Sequence, residues 1–334
     1  MKDETATQRR HGLRTLGGLT LTLGASALSY SSQLLAQTSG KPIKLILPVS
    51  AGSGVDGIAR AVAPALTAAL GAPVIVENQP GAGGLVGTQN LQRSASDGLT
   101  ICMVSNNHVI YPSVLKTVPF DPVADFTQIA LIGATPMVLA INPKVPARNL
   151  KEFIALLKAS PGKYNYASSG NGTILHLAAE LFKEAAGVFS THIPYRGFAP
   201  MLQDIVGGQV DWGVGALPAM LGQIKAGTIL PLCISSPQPN AAAPQIPSSA
   251  QAGLPKYLVE GWFAAIGPRG LAPDVLKRIH AAISTAFATP EVKEAMARQG
   301  NSINISSPAA ATAHFRSELA RYAAIVKRAG VVPQ

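Results

Sequence analysis

The chain has 334 residues, 47% hydrophobic and 13% charged, with 27 Lys+Arg against 17 Asp+Glu for a formal charge of +10. A chain this apolar buries enough surface to offset its ordering entropy, which excludes intrinsic disorder, and so low a charged fraction excludes a coiled coil. The length suggests about two domains.

Residues 1–36 read as an export signal. Arg9, Arg10 and Arg14 form a positive start, Thr15 to Leu35 is uncharged and mildly apolar, and Ala36 supplies the small residue before cleavage. The paired arginines fit the twin-arginine route as well as general secretion, and the segment is too polar for a stable membrane anchor. Residues 1–36 hold four basic and two acidic side chains, so the chain without them still carries +8. Its Lys and Arg are scattered, with no dense basic run and no interleaved aromatics, which argues against nucleic acid as a partner and for small anions.

Beyond the signal, short apolar runs alternate with amphipathic stretches, the pattern of an α/β chain. Strands are predicted over 44–49, 73–77, 100–104, 129–133, 137–141, 164–168, 191–195, 211–214, 230–234 and 263–267. Helices are predicted over 55–70, 149–160, 173–186, 217–225 and between Gly197 and Val206, with a further one after Gly84. Ser235–Ala250 reads as an exposed loop, and the tail from Pro273 to Lys327 reads as helical. Cys102 and Cys233 each lie in an apolar run and read as two separate buried thiols; a disulfide between them is the alternative. Neither Cys-x-x-Cys nor His-Glu-x-x-His occurs, so no metal site and no cofactor is expected.

A strand, a loop of glycine and small residues, and a helix start follow one another three times, at Ser50–Gly54, Ser168–Gly172 and Tyr195–Gly197. Each places unpaired helix-start amides at the carboxyl edge of a sheet, where anions and ligands bind in open α/β folds. Repeated in both halves of a basic chain, the pattern points to a two-lobed anion receptor. Two enzymatic readings compete. Gly52-Ser-Gly54-Val-Asp56-Gly57 with Glu77 about 20 residues on fits a dinucleotide fingerprint, but export argues against a nicotinamide cofactor. Ser169, His176 and Asp211 compose a hydrolase triad on paper, yet no G-x-S-x-G elbow is present. His176 instead reads as a helix histidine hydrogen-bonded near the cleft, and His108 and His192 as structural or cleft-edge residues.

Five segments carry a resemblance: Pro48–Asp56 (PVSAGSGVD), Val76–Gly84 (VENQPGAGG), Asn165–Gly172 (NYASSGNG), Pro194-Tyr-Arg-Gly197 and Gly207–Asp211 (GGQVD). In this order, over about residues 43–330, the chain resembles the substrate-binding receptors of tripartite tricarboxylate transporters, also called Bug proteins. The resemblance implies a type II periplasmic-binding-protein fold, α/β, with two doubly wound lobes joined by a hinge crossed twice. Lobe 1 would take residues 40–141 plus 265–334 and lobe 2 residues 142–264. It further implies a non-enzymatic, monomeric periplasmic receptor that closes on a carboxylate-bearing small molecule and delivers it to the membrane subunits of such a transporter. The alternative use of the same receptor is ligand sensing for a two-component system.

In such receptors, backbone amides, hydroxyls and waters grip a ligand carboxylate without an arginine clamp. The implied ligand-binding residues here are Ser50, Gly52, Ser53, Gly54, Asp56 and Asn107 (within Ser105–His108) in lobe 1, and Ser168, Ser169, Gly170, Thr173, His176, Tyr195 and Gly197 in lobe 2. Two departures stand out. Val49, Ser50 and Ala51 replace an aromatic residue and a proline of the usual first loop, and Gly215-Ala216 replaces an Asp-Asn pair that many relatives carry. The missing acid leads us to expect a ligand bulkier or more apolar than a short amino dicarboxylate.

Overall fold

The computed structural model describes residues 40–333; the predicted export signal lies outside the described residues. The chain opens on strand β1 (Ile43–Leu47) and helix α1 (Gly54–Leu70), followed by β2 (Val74–Asn78), α2 (Leu85–Gln92), β3 (Thr100–Ser105) and α3 (Asn107–Val114). Next come β4 (Phe126–Ile141), α4 (Leu150–Ala159), β5 (Asn165–Ser168), α5 (Ile174–Ala186), β6 (Thr191–Pro194), α6 (Phe198–Gly207), β7 (Trp212–Ala216), α7 (Leu217–Lys225) and β8 (Leu230–Ile234). The chain closes with β9 (Glu260–Pro268), α8 (Pro273–Ala288), α9 (Pro290–Arg298), β10 (Ser302–Ile303) and α10 (Pro308–Arg328).

Strand pairing runs β2-β1-β3-β9-β4-β7-β5-β6, with β8 and β10 also on β4. The pairs β1–β2, β1–β3, β5–β6 and β5–β7 are parallel, while every pair made by β4 or β9 is antiparallel. The 16-residue β4 belongs to two sheets. Its first part, to Pro136, pairs with β9, and from Met137 onward it pairs with β7 and β8. The sequence predicts two strands here, over 129–133 and 137–141. Pro136 is tolerated because it falls where the strand changes partners, so its missing N–H interrupts neither ladder.

The helices form for legible reasons. In α1, the Ser53 hydroxyl caps the Asp56 amide, Gly71 ends the helix in the left-handed conformation, and Ile58, Val62, Leu66 and Leu70 bury one stripe. That stripe packs with α8 against one face of β1, β3, β4 and β9, at about 1.5–3 kcal/mol per fully buried aliphatic side chain. A second core lies on the other face and runs on into the sheet of β5–β8, around Trp212, Tyr166, Phe153 and Phe182.

Two predicted elements differ. The tail is three helices rather than one continuous run, because Thr289 and Ser307 cap new helices at Pro290 and Pro308 and the chain between them adds β10 to β4. Helix α3, hidden in the sequence by Pro112 and its short length, follows β3 directly. Cys102 and Cys233 are free and buried. Among the described residues no helix is long and apolar enough to cross a membrane, and no group of three His, Cys, Asp or Glu side chains is placed to hold a metal ion.

Candidate ligand-binding cleft

A cleft of about 640 Å³ opens between the carboxyl ends of β1, β3, β5 and β6 and is floored by β4 and β9. Helices α1, α3, α5, α6 and α7 all begin at its edge. At α1 the Asp56 amide is capped by Ser53, which leaves the Gly54 and Val55 amides without an acceptor among the described residues. At α5 the Thr173 hydroxyl caps the His176 amide and Asn107 Oδ1 accepts from the Ile174 amide at 2.8 Å, leaving the Leu175 amide free in the same sense. Helix starts of this kind favour an anion through their donors and dipoles together.

The two halves of the chain already touch across the cleft. Besides the Asn107–Ile174 bond, the Phe198 amide at the start of α6 donates to Ser50 Oγ at 3.2 Å. Asn107 also donates from Nδ2 to the Gly83 carbonyl at 3.2 Å. At Gly54 a Cβ would stand 2.8 Å from the Ala216 Cβ, and at Gly172 a Cβ would stand 2.5 Å from that of Val114. Both positions need glycine for close approach, and Gly172 also has φ +71°.

Of the residues implied by the resemblance, Ser50, Ser53, Gly54, Asn107, Ser169, Gly170, Thr173, Tyr195 and Gly197 line the cleft. Gly52, Asp56, Ser168 and His176 do not; they hold the loops from behind. The Asp56 carboxylate accepts from the Gly52 amide, Arg60 Nε and Asn78 Nδ2, each at 2.9 Å. Burial opposes its charge, but these bonds outweigh burial and keep the carboxyl below its usual range.

Ser168 is buried and shares a 2.6 Å hydrogen bond with His192 Nε2, and its hydroxyl also meets both the amide and the carbonyl of Gly170. His176 Nδ1 accepts from the Gly172 amide at 2.9 Å, and its ring stacks on His192 with centroids 3.9 Å apart. Desolvation first, then the Lys183 charge, pulls His176 down to about 4. Desolvation, then the neighbouring His176, pulls His192 down to about 3. A pair of neutral stacked imidazoles thus buttresses the 168–173 loop.

The hydrolase triad is not assembled, and Glu77 of the dinucleotide fingerprint is engaged by its neighbours. Asp211 Oδ2 accepts from the Asn165 amide, at the opposite end of β5 from Ser169. Glu77 pairs with Lys44 Nζ at 3.2 Å and accepts from Gln79.

The cleft also takes residues that the sequence did not single out as ligand-binding. Loop 81–84 lines it, with Gly84 at φ +116° where a Cβ would meet the Pro48 carbonyl and the Tyr111 hydroxyl, and with Ala82 held at φ +45°. This loop carries the same signal as the other three, glycines between a strand and a helix. Thr135, Met137 and Trp262 come from β4 and β9, and nothing local separates them from ordinary core. Thr135 Oγ1 is buried with no partner among the described residues. Asn106, buried in the cleft wall, accepts from the Trp262 amide and donates to the Tyr322 hydroxyl, tying β9 and α10 to the end of β3.

Comparison with known proteins gives one consistent answer. Residues 58–331 match the family described as "Tripartite tricarboxylate transporter family receptor". BugT of Bordetella pertussis is 33% identical over 87% of this chain and 90% of its own length. Among solved structures, the periplasmic binding protein BugD is 29% identical with a TM-score of 0.84, covering 88% of this chain and 99% of that one. An R. palustris protein solved with adipate is 27% identical, also with a TM-score of 0.84, over 88% and 99% of the two chains.

Proposed function

The chain belongs to the tripartite tricarboxylate transporter receptor family, and from that premise we propose that it is a periplasmic receptor for a carboxylate-bearing small molecule, which it hands to the membrane subunits of such a transporter. The family is one of solute receptors with a two-lobed α/β fold rather than of enzymes. The observation that carries the reading is the convergence of helix starts from both sheets on one 640 Å³ cleft lined by no acidic side chain. An R. palustris neighbour of this fold was solved with adipate, a chemistry those helix starts suit.

Residues 40–141 with 265–334 form one lobe in this proposal and 142–264 the other, the chain crossing between them at the end of β4 and within β9. Ligand binding closes the lobes. The Ser50–Phe198 and Asn107–Ile174 bonds support closure, since each joins a residue of one lobe to a helix start of the other. Closing removes water from the carboxylate and strengthens every bond to it.

The test is thermal melting of residues 37–334, stripped of co-purified ligand by unfolding and refolding, against mono-, di- and tricarboxylates and their neutral amides. Saturation at 100 times the dissociation constant adds about 2.7 kcal/mol, a rise of about 4–5 °C for a chain of this size. Stabilisation by acids and not by their amides supports the reading. Stabilisation by a dinucleotide and by no acid overturns it.

A further inference from the structure

The lining of the cleft also restricts which acid it takes. Arg196 is the single charged side chain there, and it is exposed. The acids behind the wall are engaged: Asp56 by Gly52, Arg60 and Asn78, and Asp204 by the Tyr195 hydroxyl. An ammonium group entering the cleft would shed water and meet no carboxylate, an unfavourable exchange.

Most polar side chains in the wall are likewise occupied. Ser50 and Asn107 bridge the cleft, while the Ser169 hydroxyl donates to Thr173 Oγ1 and the Thr173 hydroxyl to the Gly170 carbonyl. The Trp262 indole N–H donates to Glu318 at 2.9 Å and the Tyr195 hydroxyl to Asp204 at 2.7 Å, so both rings offer the cleft carbon. Met137 and Phe198 add to that surface. The helix-start amides of Gly54, Val55 and Leu175 stay available as charge-complementary donors. Three neutral lining groups, Ser105 Oγ, Thr135 Oγ1 and the Asn171 amide, also carry no hydrogen bond among the described residues.

We infer, resting on the receptor reading above, that the ligand is an acid with one carboxylate, no amino group and an aromatic or otherwise apolar body, the carboxylate at the helix starts and the body against Trp262, Met137 and Phe198. A second carboxylate would meet only the neutral Ser105, Thr135 and Asn171 groups, away from the helix starts, or lean on Arg196, and an exposed guanidinium gains little from pairing. Ser105 and Asn171 accommodate one hydroxyl or carbonyl substituent.

Isothermal titration of the unfolded and refolded chain with benzoate, cyclohexanecarboxylate, succinate, adipate, aspartate and benzamide tests this. The expected result is benzoate or cyclohexanecarboxylate bound at least tenfold more tightly than succinate or adipate, with aspartate and benzamide not bound. Trp262 is one of two tryptophans, the other being the fully buried Trp212, so its emission should change as the ring acid binds. Succinate, adipate or aspartate binding as tightly as the ring acids would overturn the inference and leave the receptor reading standing. Binding of a ring acid with unchanged emission would overturn the placement of its body. Binding of none of the acids would overturn both inference and receptor reading.

Discussion

Asn107→Ala isolates what closure contributes to affinity. The side chain makes two bonds, 2.8 Å from the Ile174 amide to Oδ1 and 3.2 Å from Nδ2 to the Gly83 carbonyl, and only the first spans the proposed lobes. Its loss leaves the buried Ile174 amide without an acceptor in the closed form, at about 1–2 kcal/mol. At about 1.4 kcal/mol per tenfold, Kd should rise about 5- to 30-fold. The Gly83 bond lies within one lobe, so the ligand-free variant should lose only about 1 kcal/mol of stability, a fall in melting temperature of about 1–2 °C. Because the lost bond exists in the closed form, the change should appear mainly as faster dissociation. The assay is calorimetric titration and stopped-flow release of the tightest acid found, with Asn90→Ala as control; Asn90 makes an exposed bond to Gln79 away from the cleft. A variant Kd within twofold of the parent would refute the argument that this bond is part of closure.

Two further outcomes are expected. Acid should weaken the fold through the stacked pair. His176 and His192, held near 4 and 3 chiefly by burial, are neutral in the native chain at pH 7 but titrate near ~6.5 when unfolded. The unfolded state therefore binds more protons once pH drops below about 6.5, and each histidine removes up to about 1.4 kcal/mol per pH unit until pH passes its native value, with no contribution above ~6.5. Urea midpoints at pH 7.0, 5.5 and 4.5 should fall more steeply for the parent than for a His176→Gln/His192→Gln variant; parallel curves would sink the idea. Gly172→Ala combines a left-handed residue with a Cβ 2.5 Å from Val114, so about 2–4 kcal/mol of stability should be lost. A urea-derived change under about 0.5 kcal/mol would show that the loop moves freely aside.

Local pattern carried far in this chain. The helix Leu217–Lys225 and the strand Leu230–Ile234 fall where their apolar periodicity and flanking residues place them, and the three small-residue loops meet at one cleft because each follows a parallel strand. Long-range pairing set the limit. Trp262 and Thr135 read as core because β9 reaches the cleft floor by inserting between β3 and β4, which no nearby residue signals. His176 reads as cleft-facing until His192, from the neighbouring strand, is stacked on it.

The insertion of β9 also dictates an order of assembly. Cys102 in β3 aligns with Ile266, and Thr127 in β4 with Gly267, so the centre of the first sheet is filled by residues more than a hundred positions downstream. A chain emerging from its amino end can pair β1 with β2 and β3 but cannot join β3 to the start of β4. Until Glu260–Pro268 arrives, β3 and β4 each present an unpaired hydrophobic edge, the kind of surface on which chains aggregate. Folding is therefore expected to be slow and late, dominated by contacts distant in sequence, and truncation before residue 268 should leave material that aggregates rather than a smaller stable lobe.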